Sequence, residues 1–169
     1  MVTGPEFSRG VDPRHLPTQP LELAATPEEC RALARRFGLV KIARLEATLE
    51  LAHHGETVAA DGRMSAAIVQ SCAISGEDLP VAIDGPLHFR FVPERPVEEE
   101  EIELGAEDLD EIPYDGQTID VGEAVAQSLA LAIDPYAVGP EAERVRKEAG
   151  LNDEAASGPF AALAALKKD

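Results

Sequence analysis

Between residues 79 and 91 the large apolar side chains all share one parity: Leu79, Val81, Ile83, Leu87, Phe89 and Phe91. A period of two marks a β-strand with one apolar face, because successive side chains point to opposite sides. A strand this long needs neighbouring strands and a layer that covers its apolar face. The same alternation occurs earlier, where Leu45, Ala47, Leu49 and Leu51 interleave with Arg44, Glu46, Thr48 and Glu50. His53-His54-Gly55-Glu56 reads as a turn, and residues 57–60 as a short returning strand. Asp61-Gly62 reads as a further turn or bulge, and residues 64–72 as another strand of small side chains. Asp84-Gly85-Pro86 interrupts the 79–91 run, which predicts a bulge or an edge position. Strands joined by such short turns favour an antiparallel sheet.

Helix signals flank these strands. Thr26-Pro27-Glu28-Glu29 reads as a capping box with proline at the first helical position. Cys30, Leu33, Ala34 and Phe37 then fall on one face, and Gly38 supplies the stop. Asp120-Val121-Gly122-Glu123 is a second candidate box, opening a stripe of Val121, Val125, Leu129 and Ala132. Asp134-Pro135 ends that helix, because a residue before proline disfavours the α region. Residues 140–149 read as a short charged helix. Residues 1–20 are rich in Pro, Gly and polar groups, with one extended segment around residues 6–11. Phe160, Leu163 and Leu166 make a small apolar face behind Gly158-Pro159, so residues 158–169 are a candidate docking tail. The expected fold is α+β: a predominantly antiparallel sheet with a few packed helices, in a single domain over residues 1–169, without internal repeats.

Charge narrows the function classes. Fifteen Lys and Arg stand against thirty-two Asp and Glu, a net charge of −17. Such a surface repels phosphate backbones and attracts basic proteins. Thirteen of the acids fall within residues 94–123, where Arg95 is the only base. This block repels itself, which predicts a flexible acidic segment around residues 94–118. Ile102, Leu104, Leu109, Ile112 and Tyr114 punctuate it, so parts of it are expected to dock on the sheet. Arg31, Arg35, Arg36, Lys41 and Arg44 make the N-terminal part locally basic. They are candidate RNA contacts, with pairing to the acidic block as the alternative. No apolar run is long enough to span a bilayer, and no basic start leads into an apolar run. A reducing cytoplasm is the expected location.

Catalytic and metal signatures are missing from the sequence. Two cysteines, Cys30 and Cys72, make neither a disulfide framework nor a paired zinc set. Cys72 would need a partner that lowers its pKa to act as a functional thiol. A small buried residue is the simpler reading. His53 and His54 are neighbours that would point to opposite faces of a strand, and His15 and His88 lie far off. Glu98-Glu99-Glu100-Glu101 lacks the spacing of a calcium loop. No glycine-rich phosphate loop or nucleophile elbow occurs. No cofactor, metal or small-molecule substrate is expected.

Several stretches, in order, resemble one family. They begin with Pro5-Glu6-Phe7-Ser8-Arg9 and Arg36-Phe37-Gly38-Leu39, then Val69-Gln70-Ser71-Cys72 and Phe89-Arg90-Phe91-Val92-Pro93-Glu94. Asp108-Leu109-Asp110, Ile112-Pro113-Tyr114 and Ile119-Asp120-Val121-Gly122-Glu123-Ala124-Val125 follow. The series closes with Leu129-Ala130-Leu131-Ala132-Ile133-Asp134-Pro135-Tyr136 and Gly158-Pro159-Phe160-Ala161-Ala162-Leu163. This ordered set resembles the YceD-like proteins, especially their alphaproteobacterial branch. The resemblance implies a non-catalytic role in accumulation of large-subunit ribosomal RNA, through ribosome assembly. Cys72, Pro93, Glu94, Asp120 and Glu123 are motif positions without an assigned role. Many members of that family carry Cys-x-x-Cys where this chain has Cys72-Ala73-Ile74-Ser75, and this chain has no cysteine beyond it.

Three functional readings follow from this point. The first is an assembly factor whose acidic segment holds a basic ribosomal protein or a pre-large-subunit particle. Its candidate contacts are Glu98, Glu99, Glu100, Glu101, Glu103, Glu107, Asp108, Asp110 and Glu111. The second is direct rRNA binding through Arg31, Arg35, Arg36, Lys41 and Arg44. The third is an RNA-processing enzyme, for which no nucleophile, metal set or cofactor loop is visible.

Overall fold

The structure, a computed structural model, describes residues 4–94 and 111–150. In chain order it contains β1 (Gly10–Val11), β2 (Leu21–Ala24), α1 (Pro27–Phe37), β3 (Lys41–His54) and β4 (Thr57–Ser71). β5 (Asp78–Pro93), β6 (Glu111–Tyr114), β7 (Ile119–Asp120), α2 (Val121–Ala132) and α3 (Ala142–Glu148) follow. Five strands form one sheet in the order β2-β3-β4-β5-β6, and β1 pairs with β7 in a separate ladder. Every pairing is antiparallel except β5–β6, which is parallel. The α+β expectation stands.

The long β3 and β4 strands meet at Gly55, whose φ of 65° closes the hairpin. Near the start of β3 the register shifts between Ile42 and Arg44. The extra residue lets Ile42 and Leu45 both point inward, and both are buried. One expectation needs correction, and another is met by one of its two alternatives, the edge. Asp61-Gly62 is neither turn nor bulge, because β4 runs unbroken through it. Gly62 pairs with Leu49 on one side and Leu87 on the other. A Cβ at Gly62 would overlap the Thr48 carbonyl oxygen and lie 2.9 Å from its carbon. The glycine therefore marks a close approach of two backbones. In β5 the register also continues through Asp84-Gly85-Pro86, so there is no bulge. β6 pairs only with residues 90–93 of β5. Among the described residues the rest of β5 is an edge, where proline is tolerated.

Helix α1 forms as its caps dictate. Glu29 N–H donates to Thr26 Oγ1 at 3.2 Å, and Thr26 N–H donates to the Glu29 carboxylate at 2.8 Å. Gly38 ends the helix at φ 66°. Cys30, Leu33 and Ala34 are buried and Phe37 packs against the core. Helix α2 has half of the expected box. Asp120 accepts from Glu123 N–H at 3.0 Å, but the Glu123 side chain turns to Arg36 instead of back to the cap. Val121, Ala124, Val125 and Leu129 are buried, whereas Ala132 is exposed.

One core joins the N-terminal segment, α1, the sheet and α2. Phe7, Leu33, Leu45, Phe91 and Val125 lie at its centre, each almost fully buried. Phe7 belongs to a segment drawn across the first turn of α2. A Cβ at Gly122 would sit 2.5 Å from the Phe7 carbonyl oxygen, so only glycine permits this crossing. Of the acidic stretch, Glu94 and residues 111–118 are described. Glu94 N–H donates to Tyr114 O at 2.9 Å where β6 joins the sheet. The expected docking tail, residues 158–169, lies outside the described residues.

Candidate functional site

The acidic set is mostly outside the described residues: Glu98, Glu99, Glu100, Glu101, Glu103, Glu107, Asp108 and Asp110 all fall there. Glu111 is described, on β6, where its carboxylate lies 3.8 Å from Arg90 of β5. That pair is half exposed and adds little stability by itself.

The fold divides the basic set. Arg36 is committed: it bonds Glu123 twice, at 2.7 and 2.9 Å, and Glu6 at 2.9 Å. Its guanidinium holds the Glu123 carboxyl below the usual range. Arg31 pairs with Glu28 at 2.8 Å, one helical turn back. Arg44 pairs with Glu46 at 2.6 Å and bonds Ser65 at 3.0 Å on the outward sheet face. Arg35 and Lys41 are exposed and make no ion pair among the described residues. Arg31, Arg35 and Lys41 rim one groove of about 540 Å³ between α1 and the start of β3. Its lining is otherwise mostly apolar, with Ala25, Cys30, Ala34, Leu39 and Ile42 and, at the mouth, the half-exposed Val40. Arg36 and Arg44 do not line it.

The motif positions fall into two structural hubs and one thiol site. Asp120 caps α2 and also accepts from Ser8 Oγ at 2.6 Å and Arg9 N–H at 2.9 Å. Arg9 in turn clamps Glu29 of α1 at 2.7 and 2.9 Å. Asp120 and Glu123 thereby tie both helix N-termini and the end of α1 to residues 6–9. Pro93 and Glu94 form the parallel junction with Tyr114.

Cys72 is buried, and three backbone N–H groups point at its Sγ: Ile74 and Ser75 at 3.4 Å and Gly139 at 3.3 Å. Among the described residues neither a histidine nor a helix N-terminus activates this thiol; a tight turn and a distant glycine supply the donors. The turn closes with Gly76 N–H on Cys72 O at 3.0 Å. Ser75 first, then these amides, lower the Cys72 thiol to about 6. Cys30 moves the opposite way, because burial and Glu29 disfavour its thiolate.

A pH dependence follows for Cys72. Its folded pKa lies below the unfolded value of about 8.5. Its stabilising contribution is therefore fully present above about pH 8.5 and is lost as pH falls through about 6. Urea-unfolding midpoints measured across that window should rise more steeply with pH in the natural chain than in Cys72→Ala. Parallel pH profiles for the two would remove the thiolate from the account.

Among the described residues no group of three His, Cys, Asp or Glu side chains is placed to hold a metal ion. No described helix is long and apolar enough to cross a membrane. A family model described as "Large ribosomal RNA subunit accumulation protein YceD" matches residues 60–167. The chain belongs to the YceD family. Its description names the accumulation of a ribosomal RNA subunit and no reaction. The YceD match begins within β4, so β1, β2, α1 and β3 lie ahead of it. Phe7, Arg9 and Arg36, which anchor α2, are therefore contributed from outside the matched stretch. No curated protein and no solved structure matches the chain.

Proposed function

We propose that this YceD family member supports large-subunit ribosomal RNA accumulation as a non-catalytic factor of the cytoplasm. In this reading it binds a basic ribosomal protein, alone or on an assembly intermediate, through the acidic residues 98–111. The observation that carries the reading is the unequal fate of the two charge sets. Three of the five candidate cations, Arg31, Arg36 and Arg44, already bond carboxylates within the fold. The acids of residues 98–111 have no base among them in sequence. Carboxylates arrayed in this way mimic a phosphate backbone, and capture would be fast and salt-sensitive. The basic protein would be released when rRNA competes for it.

The test uses the full chain with Glu98, Glu99, Glu100 and Glu101 changed to Gln. Binding of purified basic large-subunit proteins should weaken and lose part of its salt dependence. Unchanged affinity and salt slope would remove the acidic segment as the site. Arg35 and Lys41 favour a second reading, direct rRNA contact, because neither has a carboxylate partner among the described residues. A low-salt mobility shift with large-subunit rRNA, abolished in Arg35→Gln/Lys41→Gln, would support it over the first.

A further inference from the structure

We infer that residues 158–166 of this chain occupy the groove between α1 and the start of β3, with Phe160, Leu163 and Leu166 on its floor. The inference is independent of the proposed function.

The groove needs an apolar occupant. Ala34, Leu39, Val40 and Ile42 line it, and Val40 keeps 51% of its surface exposed. Exposed large apolar side chains are few among the described residues, so one at the mouth of an apolar groove marks a contact surface. The rim of Arg31, Arg35 and Lys41 repels a basic partner. Among the described residues the lining has no aromatic side chain on which a nucleobase would stack. An uncharged apolar segment fits better than either.

The chain supplies one. Nineteen residues follow Gly150. Phe160, Leu163 and Leu166 recur every third position, a spacing that places them on one helical face. Ala161, Ala162, Ala164 and Ala165 lie between them and keep the remaining surface slim. No charge interrupts residues 155–166; Asp153 and Glu154 just ahead match the cationic rim, and Lys167 and Lys168 lie beyond the segment proposed to dock.

The tether reaches. Gly139, three residues before α3, donates to Cys72 Sγ just beyond the end of β4. Val69, near that same end of β4, pairs with Lys41 at the groove. The chain therefore enters α3 at the end of the sheet where the groove opens. The ten residues from Gly150 to Phe160 span up to about 33 Å when extended, ample to return from the short α3.

The experiment places the photocrosslinking residue p-benzoylphenylalanine at position 40 of the full chain, and in a second variant at exposed position 35. Circular dichroism first establishes that each variant is folded. Irradiation should join the groove to a peptide within residues 151–169. In a mixture of isotopically light and heavy chains, the joined peptides should carry the same label. Phe160→Ser/Leu163→Ser should abolish the crosslink without altering the fold. Crosslinks between light and heavy chains would assign the groove to a second copy and overturn the inference. Crosslinks only to other segments, or none from either folded variant, would overturn it as well.

Discussion

Gly62→Ala and Gly85→Ala, on adjacent strands, should move stability in opposite directions. Both glycines lie inside long unbroken ladders, and neither has a positive φ. At Gly62 an added Cβ meets the Thr48 carbonyl and lies 3.0 Å from the Leu49 Cα. These are backbone atoms, so no rotamer change relieves the clash and β3 must separate from β4 locally. That loses ladder hydrogen bonds and loosens the buried Leu49 and Met64 beneath. A destabilisation of about 3 kcal/mol, at the upper end for overpacking, is expected. Against a typical total of roughly 5–15 kcal/mol this is a large share. At Gly85 nothing lies within 4 Å of the added Cβ. Relieving the flexibility of glycine in a strand should then gain roughly 0.5–1 kcal/mol. Denaturant melts of the two variants settle the matter, and equal shifts would mean that β4 does not crowd β3 at Thr48.

The pair of glycines also shows what could be read from sequence and what could not. Asp61-Gly62 and Asp84-Gly85-Pro86 carry the same local turn chemistry, and each reads as a break. What decides their roles is the backbone of another strand, twelve or more residues away, about which a dipeptide says nothing. By contrast α1 was legible because its determinants are local: Thr26 and Glu29 satisfy each other three residues apart, and Gly38 stops the helix. Alternation likewise made β3 and β5 legible, while the parallel pairing of Glu111–Tyr114 with β5 was not. Apolar residues in the acidic block signalled docking without naming the neighbour.

The candidate site divides along the same line. Arg36 lies close in sequence to Arg31, Arg35, Lys41 and Arg44, and so reads as one of a basic set. The fold sends it to Glu123, 87 residues away, and so takes it off the surface patch. The donors around Cys72 include Gly139, 67 residues distant. Sequence proximity grouped these cations without regard to the carboxylates that the fold brings to them. Pairing within the fold determines which of these cations already have a carboxylate partner.

Phe7→Ala should destabilise the whole fold by about 3–5 kcal/mol, as expected for emptying a fully buried aromatic site. Phe7 is 0% exposed although it lies only seven residues into the sequence. Three contacts hold it there. Arg9 stacks its guanidinium over the ring, 4.6 Å from the centroid, and is itself fixed by Glu29. Val121 N–H donates to Arg9 O at 3.1 Å, and Gly122 admits the Phe7 backbone. Removing the ring therefore opens a cavity in the core that α1 and α2 share with the sheet. A truncated N-terminal strap that merely frayed would leave the main transition in place. We expect instead a single cooperative transition at lower denaturant with an unchanged slope. Phe7→Leu, which retains an apolar group, should lose much less. The contrast bears on domain organisation, because Phe7 and α1 lie ahead of residues 60–167, the stretch that matches the YceD family. If Phe7→Ala left the melt of β4, β5 and α2 unchanged, the matched stretch would be a unit of its own. One shifted transition would establish residues 7–129 as a single cooperative core.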